Sequence, residues 1–313
     1  MKKFLSFTLL LLLTFTGVAS NSKSWKSLKK DINIFLISDS GRNGYYEQKP
    51  IAEVMGLMAE KISPRTVVAS GDVHHFDGIQ SVQDPLWMTN YELIYSHPKL
   101  MIPWLPILGN HEYRGDTQEV INYSNISRRW CMPERYYTKV YNSKGISLRL
   151  VMIDTTPLID NYRRSKDPNY AAVAQQDHNK QLEWLESVLS SATEDWVIVV
   201  GHHPIYADTG KSSKERTNMQ ERVDSILRRY EDKVDVYLCG HIHNFQHIRK
   251  SDCKIDYVVN SSAARGRSVK RIDGTKFCSP EPGFSVLSID KKSLRIHMIN
   301  SKGEVLHTVK REL

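Results

Sequence analysis

The sequence is short of the features that mark membrane-embedded and nucleic-acid-binding proteins. After the first twenty residues, no apolar run reaches the roughly 20 residues that a membrane-spanning helix requires. Lysine and arginine are scattered, with no block that would track a nucleic-acid backbone, so no nucleic-acid partner is expected. There is no internal repeat, no low-complexity stretch and no Pro/Gly/Ser linker. Cysteine is sparse, at Cys131, Cys239, Cys253 and Cys278. Cys239 lies in the apolar segment VDVYLCG and reads as a core thiol. Cys253 and Cys278 flank a polar loop and form the best candidate disulfide pair.

What is present fits an exported globular protein. Hydrophobic residues make up 40% and charged residues 25% of the 313, an ordinary soluble composition. Lys2 and Lys3 precede an apolar run from Phe4 to Val18, and small residues follow at Ala19 and Ser20. This is the layout of a secretory signal peptide over 1–20, with a periplasmic or extracellular destination and no stable membrane association after cleavage; an uncleaved anchor is the alternative. Residues 21–313 then form a single domain. Loss of the two lysines takes the net charge from +8 to +6, a surface that favours small anionic substrates.

Short β-branched runs alternate with amphipathic ones. INIFLIS, TVVASG, WLPILG, LRLVMID, WVIVVG, VDVYLCG and IDYVVN read as strands buried on both faces. FSVLSIDKKSLRIHMI reads as two strands about a polar turn. Ile51–Ile62, Gln181–Leu189 and Arg216–Tyr230 carry helical spacing. Such alternation predicts an α/β domain. Nearly every residue able to hold a metal follows the last apolar residue of a strand: Asp39, Asp72, Asn110 with His111, His202 with His203, and His241 with His243. Ligands of open α/β sheets bind at the carboxyl ends of strands, so the pattern predicts one ligand-bearing edge of one sheet. Carboxylate, amide oxygen and imidazole suit Fe, Mn or Zn. A central Asp72 could bridge two such ions about 3.5–4 Å apart, the spacing of two-metal phosphoryl chemistry. Each motif alone is as well explained by a helix cap or a turn; five together, each at a strand end, point to a metal site.

The five blocks DSG (39–41), GDVHH (71–75), GNHE (109–112), GHHP (201–204) and GHIH (240–243) resemble those of the calcineurin-like metallophosphoesterase superfamily. INYSNISRRWCMPERYY and KQLEWLESVL resemble counterparts in its small tartrate-resistant purple acid phosphatases. The resemblance implies a metallophosphoesterase-like four-layer α/β/β/α sandwich of two mixed sheets and a pair of divalent or mixed-valence metal ions. It implies a first metal on Asp39, Asp72 and His243, and a second on Asp72, Asn110, His202 and His241. It also places His111 on the substrate phosphate and leaving group, with Glu112 orienting it. The activity implied is hydrolysis of small phosphate monoesters without a covalent intermediate, by in-line attack of a metal-bound hydroxide.

Two positions depart from that pattern. His75 stands where the purple enzymes place the tyrosine that colours their iron, and is expected to replace it as a ligand of the first metal. The loop after GHHP lacks the further histidine of the small acid phosphatases, which leaves His203 and Lys211 as candidates for its work on the leaving group. The segment from Asp160 to Asp177 is expected to cover the site. Asp154 reads as structural, and His178 as an exposed helix start. A phosphodiesterase or nucleotidase of the same superfamily, or an inactive metal- or phosphate-binding module, are the alternative functions.

Overall fold

The computed structural model describes residues 24–313; the apolar leader lies outside the described residues. Two mixed sheets form the frame. The six-stranded sheet runs β13-β12-β11-β1-β2-β3, with β1 Ile32–Ile37, β2 Thr66–Ala69, β3 Trp104–Pro106, β11 Gly283–Asp290, β12 Ser293–Asn300 and β13 Val305–Glu312. The seven-stranded sheet runs β10-β8-β9-β7-β6-β5-β4, with β4 Tyr137–Ser143, β5 Ile146–Met152, β6 Trp196–Val200, β7 Val236–Cys239, β8 Phe245–Ile248, β9 Asp256–Val259 and β10 Thr275–Ser279. β1, β2 and β3 are parallel to one another, as are β5, β6, β7 and β9. β3 can carry Pro106 because it is an edge strand, where one backbone donor is dispensable.

The period of two along each strand sorts side chains into layers. On β6, Ile198 and Val200 join the large core between the sheets, while Val197 and Val199 face outward. There they meet Leu185 and Leu189 of the helix His178–Ser191 and Ile226 and Leu227 of the helix Ser225–Arg229. On the other side, the helix Gln48–Ile62 packs Ile51, Met55, Met58 and Ile62 onto the six-stranded sheet. The result is the four-layer sandwich.

Every apolar run named above forms its strand. The strands missed by that reading are β4, β8, β10 and β13. β4 and β13 are half-buried or exposed at every position but Tyr137 and Val309, so neither offers a continuous apolar run. The third helical stretch begins earlier than its periodicity, at Ser213, where the Ser212 side chain accepts from the Lys214 amide. It then passes through a π-turn at Gln220–Asp224.

Two expectations are corrected. The ligand-bearing edge belongs to both sheets, since β1, β2 and β3 lie in one and β6 and β7 in the other. Each parallel set delivers its carboxyl ends to the same rim of the sandwich. The Cys253–Cys278 pair is not formed, and all four cysteines are free. Cys278 lies on β10 and Cys253 just before β9, with β8 between them, so about two strand spacings, near 9–10 Å, separate the chains. The Cys253 thiol instead contacts the Tyr257 hydroxyl at 3.5 Å.

Candidate dinuclear metal centre

The loops leaving β1, β2 and β7 turn through backbone that side chains disfavour. Asp39, Asp72, His241 and His243 have φ of 50°, 55°, 73° and 59°, each in the left-handed region. Such positions cost on the order of 1–3 kcal/mol apiece and persist only where the surroundings dictate them. Gly71 (φ +89°) lets the chain pass under His202, since a Cβ there would lie 2.5 Å from the His202 ring. At Gly41 a Cβ would meet the Val73 carbonyl at 2.3 Å and the His75 amide at 2.6 Å. The backbone bearing His75 thus fills the space that a side chain at position 41 would need.

These turns gather the ligand atoms. Asp39, His75 and His243 place one atom each within 4.8 Å of one another, as do Asp39, Asp72 and His202; Asp72, His75 and His111; and His202, His203 and His241. Asp72 Oδ2 lies 3.2 Å from His202 Nε2 and 3.5 Å from His75 Nε2. His243 Nε2 lies 3.3 Å from Asp39 Oδ1. The chemistry of this donor set fits metal ions. Asp39 Oδ1, Asn110 Oδ1 and both ring nitrogens of His75 are buried without a hydrogen-bond partner, which is costly unless a cation completes them.

The imidazoles are also turned as ligands are. His202 Nδ1 lies 2.8 Å from the Ser70 carbonyl and His243 Nδ1 3.1 Å from that of Arg265. A carbonyl only accepts, so the Nδ1 proton stays there and Nε2 faces the carboxylates. His241 is reversed: Nε2 meets Glu215 Oε2 at 3.2 Å, and Nδ1 points to His202 Nε2 at 3.3 Å.

Charge follows the same geometry. Burial pushes the Asp72 carboxyl up, but His202, His111 and His75 outweigh it and hold Asp72 well below the usual carboxylate range. Burial pushes His202 down, while Asp72 and Asp39 lift it to about 9. Asp72 and Asp39 thus hold the His202 imidazole in its charged form. Glu112 is pushed up to about 7 by burial and then by Asp72.

Several residues take places that their spacing did not fix. Glu112 does not orient His111. Its carboxylate accepts from the backbone amides of Asp72 (2.9 Å), Gly109 (2.7 Å) and His74 (3.0 Å), tying the second block to the third. His111 is held instead by the Phe76 carbonyl at Nδ1 (3.0 Å), and its half-buried ring leaves Nε2 3.9 Å from Asp72. Asp154 is structural: buried, it accepts from the Tyr113 hydroxyl and so anchors the GNHE loop from below. His203 is fully buried behind His241, with ring centroids 4.3 Å apart and Nδ1 2.8 Å from the Thr155 hydroxyl. That position buttresses a ligand ring and gives His203 no path to a leaving group. Lys211 is half-buried and acts on His241 through its charge. Glu215 was missed by the sequence reading, because nothing in KSSKERTN singles out one acid. The only available signal was a glutamate in the first turn of a helix that follows a ligand loop. Tyr162, from the 160–177 segment, donates to Glu215 (3.2 Å) and packs near His203, so that segment does border the site. His178 starts its helix half-buried, near Arg163.

Five strand ends, two carboxylates, an amide oxygen and at least four imidazoles define this as a dinuclear metallohydrolase-type centre on an α/β/β/α sandwich. Residues 32–245 match the family model described as calcineurin-like phosphoesterase, and the chain belongs to that family. Purple acid phosphatase 4 of Arabidopsis thaliana is 32% identical over 88% of this chain and 82% of its own length. Human tartrate-resistant acid phosphatase type 5 is 27% identical over 77% of each. The solved structure of GAP50, the anchor in the inner membrane complex of Plasmodium, matches with a TM-score of 0.75 at 22% identity, over 90% of this chain and 89% of that one. At that identity the likeness speaks for the fold.

Proposed function

We propose that the chain is a metal-dependent phosphatase that hydrolyses small phosphate monoesters at two metal ions. The observation that carries this reading is the convergence of strand-end ligands from both sheets on Asp72, with unpartnered oxygens and nitrogens turned inward. The purple acid phosphatase relatives support the choice of phosphate ester. When bound, the ions supply charge neutralisation and an activated water for in-line displacement. Asp39, Asp72, His75 and His243 would hold the first, and Asp72, Asn110, His202 and His241 the second. His111, the more exposed imidazole, binds the phosphoryl group and assists the leaving group. With His203 buried behind His241, Lys211 is the remaining candidate for the role of the absent loop histidine. His75 in place of a phenolate favours divalent Fe, Mn or Zn and a colourless protein.

The test is hydrolysis of p-nitrophenyl phosphate before and after chelation, and with Mn, Fe or Zn returned. Activity lost and restored is the expected result; no turnover with any metal would overturn it. Bis(p-nitrophenyl) phosphate, run in parallel, separates a diesterase. The leader over 1–20 supports export to the periplasm or the cell exterior. N-terminal sequencing of exported protein should begin near Asn21, and an intact Met1 in the membrane fraction would point to an anchor.

A further inference from the structure

Two arginines are buried to the same degree, and only one of them is paired. Arg129, 7% exposed, binds Glu92 through Nε and Nη2 and gives Nη1 to the Tyr95 carbonyl. Arg42, 8% exposed, has its backbone amide on Gln48, but its guanidinium has no hydrogen-bond or ion-pair partner among the described residues. The guanidinium lies over the Phe76 ring, with its carbon 5.3 Å from the centroid. The Arg42 nitrogens are not sealed in, for they are absent from the buried atoms that lack a partner. The guanidinium therefore keeps a small exposure to solvent.

The position is set by the site itself. Arg42 follows Gly41, whose amide donates to the Asp72 carbonyl at 3.3 Å, and it lies within electrostatic reach of Asp39 and Asp72. The same Phe76 that covers Arg42 with its ring holds His111 with its carbonyl. A nearly buried guanidinium without an acceptor is expensive unless an anion completes it, and its planar fork matches phosphoryl oxygens.

We propose that Arg42 is a substrate-binding residue that donates to a non-bridging oxygen of the phosphoryl group. This rests on the phosphatase reading above. The test uses the metal-loaded full chain and compares Arg42→Met, which keeps the apolar stem against Phe76, with Arg42→Lys, which keeps the charge. Metal content, the inhibition constant of inorganic phosphate and kcat/KM are measured for each. Arg42→Met should retain both metals and weaken phosphate by roughly 10–100-fold, the loss expected for a hydrogen bond between charged groups. Arg42→Lys should recover part of that loss. Unchanged phosphate affinity in Arg42→Met would overturn the proposal, as would a loss that excess metal repairs. Should the wild type prove inactive, calorimetry of inorganic phosphate on metal-loaded protein decides Arg42 separately from catalysis.

Discussion

The molecule contains two buried clusters of histidine and aspartate, and they differ in what is left unpaired. At the metal rim, Asp39, Asn110 and His75 present orphaned atoms, and four ligand positions sit in left-handed backbone. The second cluster joins the two sheets through β8, β9 and β13. There His247 meets Asp256 at 2.8 Å and His307 at 3.0 Å, Arg249 and Arg311 bind Asp256, and Arg311 also reaches Asp235 at 3.0 Å. None of its side-chain nitrogens or oxygens is buried without a partner, and none of these residues is left-handed. Histidine content is equal in kind, but only unmet valence and backbone strain separate a site from a girder.

The sharpest break between the two is Asp72→Asn. It should lower turnover by at least about 10³-fold, with metal content falling as well, because in the proposed two-metal site this one carboxylate would serve both ions. Unchanged turnover would remove the two-metal reading. Next comes Glu215→Gln, which replaces the charged acceptor on His241 Nε2 by a weaker amide oxygen. Affinity for one of the two metals, measured by chelator competition, should drop by roughly 10–100-fold. A smaller effect on rate, but a visible one, is expected for His75→Tyr. Iron-loaded His75→Tyr should gain a tyrosinate-to-iron absorption band that the wild type lacks, and such a band in the wild type would exclude His75 as the ligand.

The second cluster gives the converse tests. His247→Gln should leave kcat/KM unaltered well below the melting transition while lowering the melting temperature by a few degrees, a cost of about 1 kcal/mol for disturbing the partner of Asp256 Oδ1 while Arg249 and Arg311 stay on Oδ2. A loss of activity at low temperature would mean that the girder is part of the site. The mildest expectation concerns pH. Burial pushes His297 down to about 4, and burial with His247 pushes His307 down to about 4. Both are neutral when folded, so their contribution is complete above the unfolded value of 6.5 and is lost as pH falls from there towards about 4. Melting temperatures across that window should fall towards acid, and His307→Asn should flatten the slope.

Much of this was legible in the sequence, for definite reasons. Strands buried on both faces announce themselves as continuous apolar runs, and the residue after such a run lies at the rim, so the candidate ligands at the ends of β1, β2, β3, β6 and β7 could be placed together from the sequence. What could not be read depends on pairing between distant segments. Membership of β1 and β6 in different sheets is a matter of strand order. The three amides gathered by Glu112, and the Glu215–His241 contact, join residues whose spacing carries no period. The guanidinium of Arg42, without a hydrogen-bond or ion-pair partner among the described residues, stands out only beside Arg129, equally buried and held by Glu92 and the Tyr95 carbonyl.

One consequence follows from the seam between the sheets. Asn260, at the end of β9, donates to the Leu36 carbonyl on β1 and accepts from Ser285 on β11, bridging the sheets one layer below the ligands. Ions held by both sheets at once act as a gauge of their alignment. A shift along the seam too small to unfold the protein would pull the two halves of the coordination sphere apart. In Asn260→Ala, metal release should therefore precede melting, so that the centre senses the integrity of the scaffold that builds it.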